Sequence, residues 1–250
     1  MVYKSTVTFT LDAVTYLAKK RLDQALTTFQ STSPLSSNLS LCIQFHPFQL
    51  FPDLPDPSSQ PLDRGTWYKE TKFNLAPDPE VAVKAYEAMI SEKLGEVHPT
   101  TTGENGIRLS TGQVQSSLPA LALIWYVQEE VLERKQDASE KLSTLVDEVY
   151  NVYFRKGLSP SSPDALVAAL LAVGIDGGKG EAGAKEIVED ATAYSGMRQV
   201  KNKIQEVQGN GIDAVPVVMF EGRRRDITLT GAKEVAEYIK ALETVAKESA

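Results

Sequence analysis

Two short blocks at opposite ends of the chain constrain the fold more than any other feature. At the front, residues 6–11 are β-branched and aromatic without helical spacing, YLAKKRLDQAL reads as an amphipathic helix, and LSLCIQFHPFQL reads as a second, buried strand stopped by Pro47. At the back, VPVVMF at 215–220 and DITLT are strands joined by the turn EGRRR. KEVAEYIKALETVA then closes as a helix with Val235, Tyr238, Ile239 and Leu242 on one face. Strand-helix-strand predicts a parallel pair with a right-handed crossover. Neither block can bury a sheet alone, so the two must share one, and what lies between them is an insertion.

That insertion, residues 78–208, reads as mostly helical. Apolar stripes run through DPEVAVKAYEAMISEKL, LPALALIWYVQEEVLERK, ASEKLSTLVDEVYNVYFRKG, SPDALVAALLAVG and AKEIVEDATAYSGMRQVKNKIQEVQ. Ser162-Pro163-Asp164 opens one helix, and Gly157 and Gly174 close two. Residues 47–79 hold most of the prolines and predict an irregular surface arm. The expected class is α/β, with one discontinuous domain at 1–77 and 209–250 and a helical insertion at 78–208.

Composition narrows the partners. A formal charge of -7 offers no positive field for phosphate backbones or anionic lipid, so no nucleic acid and no membrane is expected, and small molecules or proteins remain. The start MVYKSTVTFTLD has no apolar leader core and no later run reaches membrane-spanning length, which reads as cytoplasmic. One cysteine, Cys42, cannot form an intramolecular disulfide, and in LSLCIQF it reads as a small buried hydrophobe. Two distant histidines and one cysteine argue against a metal site. Gly177-Gly178-Lys179-Gly180 lacks the strand before it that a nucleotide loop requires, and Arg223, Arg224 and Arg225 read as a solvated turn.

The element order, the helix KKRLDQAL, the stretch IQFHPFQLFPDLP, the Val-Pro before a strand and the Thr-Gly-Ala before the last helix together resemble the DsbA-like branch of the thioredoxin superfamily. Within it the chain is similar to the FrnE-type group, fungal members included. The resemblance spans nearly the whole chain and implies a thioredoxin-like fold with Val215-Pro216 as the cis-proline turn beside the active-site helix.

Two departures from that family carry the functional expectation. The family pattern Asp-x-x-Cys-Pro-x-x-Tyr becomes Asp12, Ala13, Val14, Thr15, Tyr16, with both cysteines gone, and disulfide exchange needs a thiolate. The FrnE-type His-Arg pair becomes Leu121-Ala122, exchanging polar residues for apolar ones. Repurposing of the cleft toward a hydrophobic ligand and drift in a dead enzyme would both give these losses.

Candidate catalytic groups are His46, at the end of strand two and expected to reach the groove, with Asp12 and Thr15 at the first turn. Tyr16, Trp67, Leu121, Val215 and Pro216 are candidate ligand contacts. His46 as a solvent-facing histidine, and Thr15 as a plain helix cap, are the bland alternatives. His98 lies in a Pro/Thr/Gly stretch that could cover the cleft. The helix starting near Thr15 could hold an enolate or carboxylate at its N-terminus.

The expected function is a cofactor-free isomerase, cyclase or lyase of specialised metabolism, acting on a hydrophobic oxygenated small molecule by acid-base catalysis. Two alternatives stand beside it. The resemblance to kappa-class transferases and hydroxychromene carboxylate isomerases, which use a serine to assist the glutathione thiol, implies glutathione as a cofactor, with Thr15 in the serine's place. A catalytically dead peptide-binding module would use the same groove. A homodimer is left open.

Overall fold

A computed structural model describes residues 2–12, 14–98, 106–132 and 136–249. Its centre is a four-stranded sheet in the order β2-β1-β5-β6, built from β1 (Tyr3–Leu11), β2 (Leu39–Pro47), β5 (Val217–Phe220) and β6 (Ile227–Thr230). β1 and β2 run parallel, from Tyr3 opposite Leu39 to Leu11 opposite Pro47. β5 joins β1 antiparallel, with Val7 opposite Phe220 and Thr10 opposite Val217. The outer blocks of the sequence therefore do share one sheet. β1 starts three residues earlier than its β-branched run because parallel pairing with β2 carries it outward.

Burial follows position in the sheet. The last five residues of β1 are buried on both faces, as a central strand requires, whereas β6 alternates half-buried and exposed along its four residues, as an edge strand does. α1 (Tyr16–Thr32) crosses from β1 to β2 and packs against α9 (Val235–Ser249) and α3 (Pro79–Val97). α4 (Leu118–Tyr126), α5 (Gln136–Tyr150) and α8 (Tyr194–Gly209) pack along β2. They also blunt that edge chemically. Gln128 accepts from the Phe45 N–H at 2.8 Å and returns an amide hydrogen to the Phe45 carbonyl at 3.4 Å, while Ser139 Oγ accepts from the Ile43 N–H at 3.1 Å.

Three local expectations change. The proline-rich arm is not wholly irregular: short strands β3 (Leu62–Asp63) and β4 (Gln113–Val114) pair, and α2 (Arg64–Glu70) follows β3. Asp63 caps α2 by accepting from the Thr66 N–H at 2.8 Å, and Gly65 lets it seat against the Ser110 carbonyl, where any side-chain carbon would collide. The long helical run after residue 184 divides into α7 (Glu181–Thr192) and α8, because Ala193 is extended at φ −60°, ψ 163°. Gly196 makes that break tight enough to bring Ala191 against its own Cα. Finally, Cys42 is half-buried rather than buried, since β2 is an edge strand. Between α5 and the turn of the Gly177-Gly180 run lies α6 (Pro163–Ala172), closed by Gly174 in the left-handed region at φ 65°.

Candidate functional site

The turn between β1 and α1 is stitched closed. Asp12, 2% exposed, accepts the Leu50 N–H on Oδ2 at 2.7 Å. Its carbonyl accepts both the N–H of Thr15 at 3.1 Å and the Thr15 hydroxyl at 2.8 Å. A hydroxyl has one proton, so the 2.7 Å contact between Thr15 and Tyr150 must be Tyr150 donating to Thr15 Oγ1. Burial pushes the Tyr150 phenol far up, so it holds that proton at every working pH. Thr15 sits at the N-cap position of α1 yet makes no side-chain cap hydrogen bond, because its hydroxyl is turned to this buried network. Ala13 lies outside the described residues.

Tyr16 is likewise a packing residue. Its ring stacks on Phe154 at 5.5 Å and leans on Tyr150 at 5.0 Å, and burial pushes its phenol up to about 12. Leu121, expected as a ligand contact, is 2% exposed beside a residual void of about 10 Å³ between Leu11 and Tyr150. No ligand fits there.

His46 stands elsewhere. Thr10 pairs with His46 on one side and with Val217 on the other, so β1 separates the imidazole from the proline turn. Its ring meets Trp125 edge-on at 6.2 Å, under the charges of Lys203, Glu206 and Glu129. Burial first, and Lys203 second, pull it down to about 4, so it is neutral near pH 7 and a weak base. The strand end that should have aimed it at the groove instead aims it at α4 and α8. His98 ends α3 as its C-cap, and residues 99–105 that follow lie outside the described residues.

Beside the closed turn lies an open groove of about 490 Å³. One wall is the start of α1 and the turn before it, through Val14, Thr15, Leu17 and Ala18, and one end is Val215-Pro216, whose peptide bond is cis. The opposite wall is aromatic. Phe51 and Trp67 meet edge-on at 4.8 Å, Trp67 and Tyr68 at 5.0 Å, and Tyr86 of α3 completes the wall with Ile90. Trp67 and Tyr68 are 9% and 5% exposed, so these faces are fixed by the core behind them. Tyr68 is held from behind by a hydroxyl contact to Tyr153, whose ring lies 4.0 Å from the guanidinium of buried Arg64. Of the sequence candidates the structure thus brings together Thr15, Trp67, Val215 and Pro216, but not His46, Asp12, Tyr16 or Leu121.

Sequence reasoning missed Phe51, Tyr68, Thr71, Lys72, Tyr86 and Ile90, all on the groove. The available signal was the Trp67-Tyr68 pair directly after the Asp63-Arg64-Gly65-Thr66 cap, obscured by the surrounding prolines. Among the described residues no group of three or more His, Cys, Asp or Glu could hold a metal ion, and no helix is long and apolar enough to cross a membrane.

A sheet of this order, a cis proline facing the start of α1, and a helical insertion define a thioredoxin-like domain of the DsbA kind. Residues 15–243 match the model of the DSBA-like thioredoxin domain, and the chain belongs to that family. Among solved structures it is similar to a probable DsbA oxidoreductase from Streptomyces coelicolor, at 17% identity and TM-score 0.71 over 98% of this chain and 91% of that one. It is also similar to the cytosolic disulfide reductase DsbM of Pseudomonas aeruginosa, at 13% identity and TM-score 0.56 over 96% and 97%. A 2-hydroxychromene-2-carboxylate isomerase matches at 12% identity and TM-score 0.56 over 97% and 96%. No curated protein matches.

Proposed function

We propose that the chain is a non-redox member of its family that binds a largely apolar, oxygenated small molecule in the groove and acts on it as an isomerase, cyclase or lyase. The observation that carries this reading is the groove itself: about 490 Å³, walled by Phe51, Trp67, Tyr68 and Tyr86, with no cysteine on it. A chain with one cysteine, half-buried on the far strand β2, has no dithiol to offer a disulfide. Thr15 has no spare proton and Asp12 and His46 do not line the groove, so the chemistry falls to shape, exclusion of water and the positive end of α1 near an enolate-like oxygen. Lys72 and Tyr86 are the titratable side chains on the wall besides Tyr68, whose phenol burial pushes far up. The isomerase among the similar structures supports this class of reaction.

The test uses the tryptophans. The chain has two, so in a Trp125→Phe background Trp67 alone reports on the groove. A set of aromatic enones, phenols and chromene-type compounds is expected to shift its fluorescence, and turnover of a binder is read from the compound's own absorbance. Reduction of insulin at a rate above background would overturn the non-redox reading.

Glutathione is a second reading, favoured by the Val215-Pro216 turn on the groove and by a DsbM structure with GSH among the similar ones. It would bind without Thr15 donating to its thiol, since that hydroxyl proton is given to Asp12. Calorimetry at millimolar glutathione decides it, and absence of heat removes it.

A further inference from the structure

We propose that the groove's ligand carries an anionic oxygen group, a carboxylate or its equivalent, and that Lys72 is the residue that selects for it. This rests on the groove being the ligand site. Lys72 is the one charged side chain among the described residues lining the groove, and no aspartate or glutamate shares that lining. In a chain of net charge -7, with more carboxylates than cations, a lining that holds a cation and no carboxylate runs against the overall charge.

Its surroundings set it apart from an ordinary surface lysine. Like Lys69 and Lys201, exposed Lys72 has no carboxylate within ion-pair distance among the described residues; what distinguishes it is the ring it lies on. Its ammonium lies 3.8 Å from the centroid of Tyr86 and 5.8 Å from that of Phe73. An aromatic face holds a cation in place without neutralising it, so the charge stays available to an incoming anion. The ring that holds it is itself part of the groove, which puts the ammonium against the same surface that an aromatic ligand body would cover. Lys72 stands on the segment following α2 and α1 begins on the other wall with a positive dipole end, so both polar features of the groove favour negative charge. An apolar body between Trp67 and Leu17 with an anionic oxygen at Lys72 matches the groove's apolar walls and its one cation.

The test compares 2-naphthoate with its neutral isostere 2-naphthamide by ligand-observed NMR on the full chain. The parent is expected to bind the anion about fivefold more tightly than the amide, the range for a charge-assisted contact partly screened by water. Lys72→Met should abolish that preference and Lys72→Arg should keep it. Equal binding of the two probes by the parent, or a preference that survives in Lys72→Met, overturns the proposal while the groove stands. Ile90→Trp and Thr71→Trp fill the groove from two positions, the first half-buried and the second exposed. If neither weakens either probe, or if neither probe binds at millimolar concentration, the groove reading fails and this one with it.

Discussion

The turn at Asp12–Thr15 and the groove beside it share Val14 and Thr15 and differ in almost everything else. In the turn the polar side chains of Asp12 and Thr15 have partners inside the protein: Asp12 with Leu50, Thr15 with Asp12 and Tyr150. In the groove, aromatic faces and one unpaired ammonium meet solvent. The resemblance leads one to look for chemistry at the turn, where a thiol oxidoreductase keeps its cysteines. Here that turn is internally hydrogen-bonded, and we propose that binding falls to the neighbouring wall. Turn and cavity rest on different interactions, hydrogen bonds in one and packing in the other.

The largest effect that separates them is expected from Thr15→Val. It leaves the buried Tyr150 hydroxyl without its acceptor and takes one of two donors from the Asp12 carbonyl, costing about 2 kcal/mol in urea unfolding. Probe affinity in the groove should stay within about twofold of the parent, since valine keeps the size of Thr15 on the groove wall and the hydroxyl it removes is already committed to Asp12 and Tyr150. Affinity that falls in step with stability would show turn and groove to be one unit.

Ile90→Trp is the converse. It should weaken 2-naphthoate at least tenfold, about 1.4 kcal/mol, with the urea midpoint little moved, because Ile90 is only half-buried. A large loss of stability with intact binding would reverse the assignment of the two regions.

How much of this was legible in the sequence depends on whether the determining contacts are local. The strands VPVVMF and DITLT and the helices with caps, such as Ser162-Pro163-Asp164, were readable because periodicity and turn residues are local. The division at Ala193 was not, since an alanine carries no break signal and the enabling Gly196 lies inside α8. Of the site, the Val215-Pro216 turn and Trp67 were legible. The use of Thr15 was not, because its partner Tyr150 is 135 residues away. Nor was the direction of His46: a strand end offers two faces, and only the packing of α4 and α8 on β2 decides between them.

His46 gives a third, smaller contrast. Its folded value near 4 lies below its ordinary 6.5, so between these pH values the unfolded chain binds more protons than the folded one. The stability gained by keeping it neutral is complete above about pH 6.5 and is lost as pH falls toward 4. For a half-buried ring that is about 1 kcal/mol after screening. Relative to the parent, His46→Gln should lose less stability on acidification over that window, measured by urea unfolding at pH 7 and 4.5, with no change in probe binding at pH 7. Turnover that depends on His46 would return it to the mechanism.

The smallest effect is expected from Cys42→Ser. On a half-buried edge position it should cost no more than about 0.5 kcal/mol and alter no activity. A thiol-dependent activity lost in this variant would contradict the non-redox reading.

The central claim, that ligand occupies the groove and leaves the strand-two cluster alone, is tested most directly by titrating ¹⁵N-labelled protein with 2-naphthoate and following backbone amide shifts. The account predicts shifts concentrated at Val14, Leu17, Phe51, Thr71, Lys72 and Val215, with His46, Trp125 and Cys42 unmoved. Shifts centred on His46 and Trp125, with the groove amides silent, would contradict it.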